Sequence, residues 1–334
     1  MNNPAPHQSV RLFSLIMDRV TRWYDKGRGN VAAVHAQLPD RIDWGRSLPF
    51  ILMHLVCFAV IWTGVSPVAV LVAVIAYLVR MFAITGFYHR YFSHRSFKTS
   101  RPAQFVFAVL GASAVQRGPI WWAAHHRHHH AYSDQEADVH SPAQHGFWRA
   151  HLGWFLNIKG FAPNFGLTKD LMRYPELRWL DRFDLVVPVL LGVGIFALGV
   201  LLEHTAPQLG TNGWQMLVVG FFISTVLCSH ATYTINSLSH VFGSQRYKTG
   251  DTSRNNWLFA LFTLGEGWHN NHHHYPNSTR QGFYWWEYDI TFYLLKVLSW
   301  CGIVWDLKPV PRGVRENPAR RLDALKRAGS QASS

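Results

Sequence analysis

The 334-residue chain is 49% hydrophobic and 15% charged; it is long enough for two ordinary soluble domains, yet its apolar residues are gathered into blocks and not spread periodically. A formal charge of +13 could suggest nucleic acid, but no nucleic-acid motif accompanies it, and Trp and Phe lie mostly in or beside the apolar blocks, so a membrane is the better partner. Cys57, Cys228 and Cys301 are isolated in the sequence, which excludes a disulfide framework and reads as three buried, reduced thiols.

Residues 1–46 are polar, carry Arg19, Arg22, Lys26 and Arg28, and lack the apolar core of a signal peptide. They are expected to form a cytoplasmic segment, solvated or resting on anionic headgroups. Residues 48–65 are almost wholly apolar, and after Ser66-Pro67 a second apolar run continues to about Tyr88. Each is near the ~20 residues a spanning helix requires. Pro67 suits a first helical position, and the short connection makes the two runs an antiparallel hairpin. Arg80 is a charge inside the second run; an intramembrane charge is by default functional, and snorkelling to the interface is the simpler expectation. Residues 105–115 are apolar but too few to cross, so this stretch is expected to dip in and return. Residues 185–202 and 214–235 form a second pair of spans joined by a short loop. Tyr284-Trp285-Trp286 reads as an interfacial anchor, and the Lys- and Arg-rich residues 309–334 as a flexible tail.

The basic residues test this topology. Every Lys and Arg except Arg80 falls in the N-terminal region, in the segment from Arg90 to Arg182, or after Tyr233. That is the positive-inside pattern for four helices with both termini cytoplasmic. The expected fold is therefore an all-α, multi-pass integral membrane protein: residues 47–308 form four transmembrane helices in two hairpins under a cytoplasmic helical cap.

Three histidine groups lie on that cytoplasmic side. His89 and His94 have H-x4-H spacing; His126, His129 and His130, and again His269, His272 and His273, have H-x-x-H-H spacing. On a helix, i, i+3 and i+4 share a face, so each H-x-x-H-H group can present three imidazoles to one small volume. A lone histidine is usually a surface or satisfied core residue, but three spaced clusters are not. Imidazole suits several transition metals, and the chain has neither Cys-x-x-Cys pairs nor a His-Glu-x-x-His motif. A structural zinc site needs four ligands; about twice that number argues for a binuclear site.

These groups, together with Asn236-Ser237-Leu238-Ser239-His240 and Glu266-Gly267-Trp268-His269-Asn270, closely resemble the membrane fatty-acyl desaturases of the stearoyl-CoA, Δ9 type, in the right order from about Tyr77 to Tyr275. The resemblance implies two iron ions held by His89, His94, His126, His129, His130, His240, His269, His272 and His273, with Asn236 reaching one iron through water. It implies O2 as co-substrate and two electrons from a separate donor protein of ferredoxin, cytochrome b5 or flavoprotein type, since no haem-binding or ferredoxin-like segment is visible. His125, His128 and His274 lie beside ligand positions without matching them. The second imidazole nitrogens need acceptors, for which Asp134, Asp138 and Glu266 are candidates by proximity in sequence.

The family bends its acyl chain at the irons, and the kink-lining positions match Gln116, Trp122 and Thr232, which implies a cis double bond near the middle of a saturated chain. The positions at the tunnel's far end match Tyr77 and Met81; a Met where a small residue is usual is expected to favour palmitoyl over stearoyl. Where the family holds coenzyme A, Lys159 is retained, but Ala124, His125 and Ile158 depart from the pattern. Arg117, Arg149 and Lys159 are the candidate headgroup contacts. Acyl-CoA is the first expectation for the carrier, with membrane lipid or acyl carrier protein as alternatives. A di-iron hydroxylase or monooxygenase would share the metal and the membrane. A metal transporter would place polar ligands inside its spans, whereas these clusters lie after spans or in the cytoplasmic segment.

Overall fold

The computed structural model describes residues 38–315; most of the expected N-terminal segment and of the C-terminal tail lies outside the described residues. Among the described residues, three helices are long and apolar enough to cross a membrane: Pro67–Ser93, Val186–Thr205 and Gly213–His240. They fall on the second, third and fourth expected spans. The first differs. Its apolar stretch is the shorter helix Ser47–Thr63, roughly 25 Å long at ~1.5 Å per residue against a hydrocarbon core of ~30 Å. Its winding is interrupted between α1 (Trp44–Cys57) and the turn Val60–Thr63.

The second long helix starts as α2 (Pro67–Phe82), where the Ser66 hydroxyl accepts the Ala69 N–H and Pro67 occupies the first turn. It continues to Ser93 in π-helical winding. At 27 residues it is roughly 40 Å long, more than the ~30 Å hydrocarbon core, and it carries His89 in its last two turns. Arg80 does not snorkel. It is fully buried between helices, its Nη2 donating to the Ser224 hydroxyl at 2.6 Å, its Nη1 to Thr225 and its Nε to the Ala76 carbonyl at 3.0 Å.

After strand β1 (Lys98–Thr99), the short apolar stretch is α3 (Arg101–Ala112), twelve residues long, followed by a reversal in which Val115 and Arg117 take positive φ. Helix α4 (Pro119–Tyr132) then carries the second histidine group. Its start is fixed from outside: Asp181 Oδ1 accepts the N–H groups of Ile120 and Trp121 at 3.0 and 2.8 Å. A Cβ at Gly118 would lie 2.4 Å from the Asp181 backbone, so glycine permits this approach. Burial pushes the Asp181 carboxyl up to about 7, with Asp184 adding to the rise.

The second hairpin consists of α5 (Val186–Thr205) and the long helix that ends as α6 (Ser224–Asn236) and the 3-10 turn Leu238–His240. The cap closes with α7 (His269–His274), α8 (Ile290–Trp300) and β2 (Val304–Trp305), which pairs antiparallel with β1 through Lys98 with Trp305 and Thr99 with Val304. The basic tail is packed as far as Arg315: Val310 is buried, and the Arg315 carbonyl accepts the hydroxyls of Tyr247 and Tyr284. Of the three thiols, Cys228 is buried, Cys57 is partly covered and Cys301 is exposed at the end of α8, against the expectation of three buried ones.

Candidate metal centre and tunnel

All nine expected histidines meet, in two nests. His89, His94, His126, His130 and His272 form one; His129, His240, His269 and His273 form the other. In each nest the approaching atoms are Nε2 nitrogens. His94 lies 2.7 Å from His126, His89 and His130 lie 3.0 and 2.9 Å from His272, and His240 lies 3.1 Å from His269.

The H-x-x-H-H groups do not each fill a single volume. In α4 the i and i+4 residues His126 and His130 join the five-histidine nest while His129 crosses to the other. In α7 the sense reverses: His269 and His273 share the four-histidine nest and His272 crosses. One helix turn separates i from i+4, so a pair at that spacing holds one point and the i+3 residue, offset around the axis, reaches the next. The H-x4-H pair is brought together by the π-helix. An i to i+5 bond, His94 N–H to the His89 carbonyl at 3.2 Å, sets the two rings 4.9 Å apart.

Behind the imidazoles stand carboxylates. The Nδ1 atoms of His129 and His240 face Asp138 and Asp134 at 2.9 and 3.2 Å, that of His89 faces Glu266, and that of His273 faces Asp251 at 2.7 Å. Three of these acids stand near the motifs in sequence; Asp251 does not. Burial opposes their charge, yet the facing histidines and, at Asp134 and Asp251, neighbouring hydroxyls hold all four carboxyls below the usual carboxylate range. Burial and crowding by other imidazoles push His126, His130, His269 and His272 well below the ordinary imidazole range, so they are neutral donors.

The donor set itself tests for a cation. His129 and His273 both give their Nδ1 protons to carboxylates, which leaves bare lone pairs on two Nε2 atoms 3.4 Å apart. Lone pairs aimed at each other in a buried site repel unless a cation, a metal ion or a proton, lies between them; against burial, Asp138 holds the His129 imidazole above its ordinary range, so the site calls for positive charge at this point. The nests therefore fit metal ions ligated by neutral imidazole.

Further residues hold the ligands in place. Arg90, fully buried, bridges Glu266 and Asp289, both at 2.9 Å. Arg127 ties α4 to Asp170 and to the carbonyls of Phe92 and Ser93. The two asparagines inside the third motif are clamps: Asn270 Oδ1 accepts the N–H groups of Arg246 and Tyr247, and Asn271 Nδ2 donates to Glu287. His128 contacts the Ala137 carbonyl and His274 stacks on Tyr247, both outside the nests.

Two cavities reach this centre. The larger, about 160 Å³, runs from Pro49, Phe50 and Leu185 past Arg117 and Gln116; the smaller, about 40 Å³, ends at Met81, Ile84 and Thr85. Trp122, His126, Thr232 and Asn236 border both, and Gln116 Nε2 donates to Thr232 Oγ1 at 3.1 Å beside this junction. Tyr77 borders neither cavity; it packs near Met81, its hydroxyl donating to the Phe262 carbonyl at 2.7 Å. Of the candidate headgroup contacts, Arg117 lines the larger cavity, 3.5 Å from Asp184. Arg149 does not line it, being paired with Asp40 at 2.7 Å, and neither does Lys159 on its 3-10 turn.

The fatty acid desaturase family model matches residues 65–298. The Δ9 acyl-lipid desaturase 1 of Arabidopsis thaliana is 36% identical over 80% of this chain and 84% of its own length. The sn-1 stearoyl-lipid 9-desaturase of Anabaena variabilis is 35% identical over 80% and 94%, and an acyl-CoA C20 Δ5-desaturase of Anemone leveillei is 37% identical over 68% and 70%. The chain belongs to the fatty acid desaturase family. It is a membrane-associated, oxygen-dependent oxidoreductase acting on acyl chains.

Proposed function

We propose that the protein inserts a cis double bond near the middle, at the Δ9 position, of a saturated acyl chain, using two irons in the two histidine nests. The observation that carries this is the meeting of the two cavities at a metal-ligand candidate: His126 borders both, beside Gln116, Trp122 and Thr232. The reaction removes one hydrogen from each of two adjacent methylenes; with two electrons and two protons from outside, dioxygen leaves as two waters. Iron, when bound, supplies the oxidant that breaks an unactivated C–H bond.

The protein's own side chains do the rest. The Gln116 to Thr232 hydrogen bond and the Trp122 ring bend the acyl chain at the centre. The apolar walls exclude water and hold the remaining methylenes away from the oxidant. Asp134, Asp138, Asp251 and Glu266 keep the ligating imidazoles oriented with Nε2 toward the metals. Asn236, which borders both cavities, would hold one iron through a water. Met81 closes the tail end, favouring palmitoyl over stearoyl. Electrons come from a separate donor protein.

A membrane lipid is the carrier that this entrance suits. Pro49, Phe50 and Met53 of α1 form its wall, and Arg149 and Arg117 face Asp40 and Asp184. Cations already facing carboxylates have less charge to offer the phosphates of coenzyme A. Acyl-CoA remains a second reading, favoured by Lys159 and by the acyl-CoA relative. Helix Ser47–Thr63 completes a four-span arrangement with centre and termini cytoplasmic, in line with the distribution of Lys and Arg. Mass spectrometry of fatty acids formed in a host lacking them tests the activity: loss of two hydrogens is expected, and gain of oxygen would indicate a hydroxylase. A cysteine introduced at 203–213 should react with an impermeant reagent from outside and one near Gln135 should not; the reverse would overturn the topology.

A further inference from the structure

A second histidine cluster lies outside the metal nests. His54 on α1 meets His230 on α6, Nε2 to Nε2, at 3.0 Å; His230 Nδ1 meets His151 Nε2 at 3.0 Å; and His151 Nδ1 meets the Ser237 hydroxyl at 2.9 Å. The chain ends on carbonyls, His54 Nδ1 at Phe50 (2.8 Å) and the Ser237 hydroxyl at Tyr233 (2.9 Å). Five contacts thus need five protons, but three neutral imidazoles and one hydroxyl supply four. When neutral, the chain always leaves one contact unmade, so it holds α1 less firmly than a fully matched network would.

What it holds is the side wall of the tunnel. Phe50 and Met53, one turn and one residue before His54, line the larger cavity together with Tyr233 and Phe155. The outer face of α1 is bare: Leu48, Leu52 and Leu55 are exposed. Pro49 removes a helical hydrogen bond near its start, and the winding breaks after Cys57. At its start, the Asp43 N–H and the Ser47 hydroxyl both reach the Leu156 carbonyl; ten residues after Trp44, the histidine chain is its polar tie to α6.

We propose that residues 49–57 are a side gate through which the acyl chain of a membrane lipid enters the tunnel from the bilayer, with His54, His230 and His151 as its latch. The inference rests on the lipid-carrier reading above. A lipid-borne chain cannot thread end-on from the aqueous side without pulling its headgroup and second chain out of the bilayer, so a wall that parts sideways matches that substrate.

The test uses the full chain in phosphatidylcholine nanodiscs with saturated acyl chains, in a background of Cys57→Ser, Cys228→Ser and Cys301→Ser. Met53→Cys, on the buried, cavity-facing side of the wall, reports opening by its rate of labelling with a lipid-soluble maleimide. His54→Leu should label about fivefold faster than the His54 parent, the factor that corresponds to one lost hydrogen bond, and His54→Gln, which keeps part of the chain, should fall between them. In a second arm, His54→Cys with His230→Cys joined by a short bismaleimide should lose desaturation of phospholipid acyl groups while its iron content stays that of the uncross-linked protein. Equal labelling of the three chains would overturn the latch, as would a cross-linked protein that desaturates phospholipid at the uncross-linked rate. A parent that turns over acyl-CoA but no phospholipid would overturn the carrier reading and the purpose assigned to the gate, while the labelling rates would still report the latch.

Discussion

The two histidine nests use the same ligand atom and differ in what stands behind it. In the four-histidine nest, His129, His240 and His273 each face a carboxylate, Asp138, Asp134 and Asp251, while His269 Nδ1 is buried without a hydrogen bond. In the five-histidine nest, among the described residues, a carboxylate faces His89 alone, and that one, Glu266, is shared with Arg90. Three acids behind four imidazoles make those imidazoles better donors than one acid behind five. Similar nests thus predict two unlike metal positions, with the four-histidine nest expected to bind the tighter.

The largest effects should come from the ligands themselves. Alanine at His130 or His272 should empty the five-histidine nest and abolish turnover; His273→Ala should do the same from the other side. His128→Ala, outside both nests, should leave iron content nearly intact, and equal loss at His128 in metal analysis would undo the assignment. Asn236→Ala should keep its iron and lose most of its activity. Next come the acids. Asp251→Asn or Asp138→Asn should weaken metal binding by roughly 10- to 100-fold in the four-histidine nest, and Glu266→Gln should act on the other. Chelator competition with each variant would show whether the nests respond separately.

Away from the nests, Met81→Ala should shift chain preference from C16 toward C18 by about fivefold per methylene readmitted, at on the order of 1 kcal/mol each, with the double-bond position unchanged. An unaltered C16 to C18 ratio would remove Met81 from the tunnel floor. Asp181→Asn should leave the iron ratio of the nests untouched, since Asn can still accept the N–H groups that start α4. Its effect is on stability. With the folded carboxyl raised to about 7 from 3.8, the parent loses stability as pH rises through that interval and stays lower above it. The variant should therefore gain on the parent at pH 8 and match it near pH 4, as thermal midpoints at the two pH values would show.

The sequence makes the histidine centre legible because the nine candidate ligands fall in short motifs, and the long apolar runs predict those motifs on one side of a membrane. It does not reveal how the ligands divide, because the exchange of His129 and His272 between nests depends on how α4 and α7 face each other. The pairing of His89 with His94 depends on π-helical winding, which residue spacing does not announce. Asp251 stands 22 residues before His273 and has no local signal. Arg80 misleads for a related reason: the hydroxyls that receive it, Ser224 and Thr225, lie on another helix, about 145 residues away. The first apolar stretch has a span's composition, but its helix Ser47–Thr63, interrupted after Cys57, is shorter than the three long helices.

The most direct measurement is the iron content of the purified chain as iron is titrated into metal-free protein, followed by Mössbauer spectroscopy. Two irons per chain are expected, bound in two steps, with the first quadrupole doublet appearing only at higher iron in Asp251→Asn and the second lost in His94→Ala. A single iron per chain, or two that bind together and respond alike to both substitutions, would contradict the division into two unequal nests.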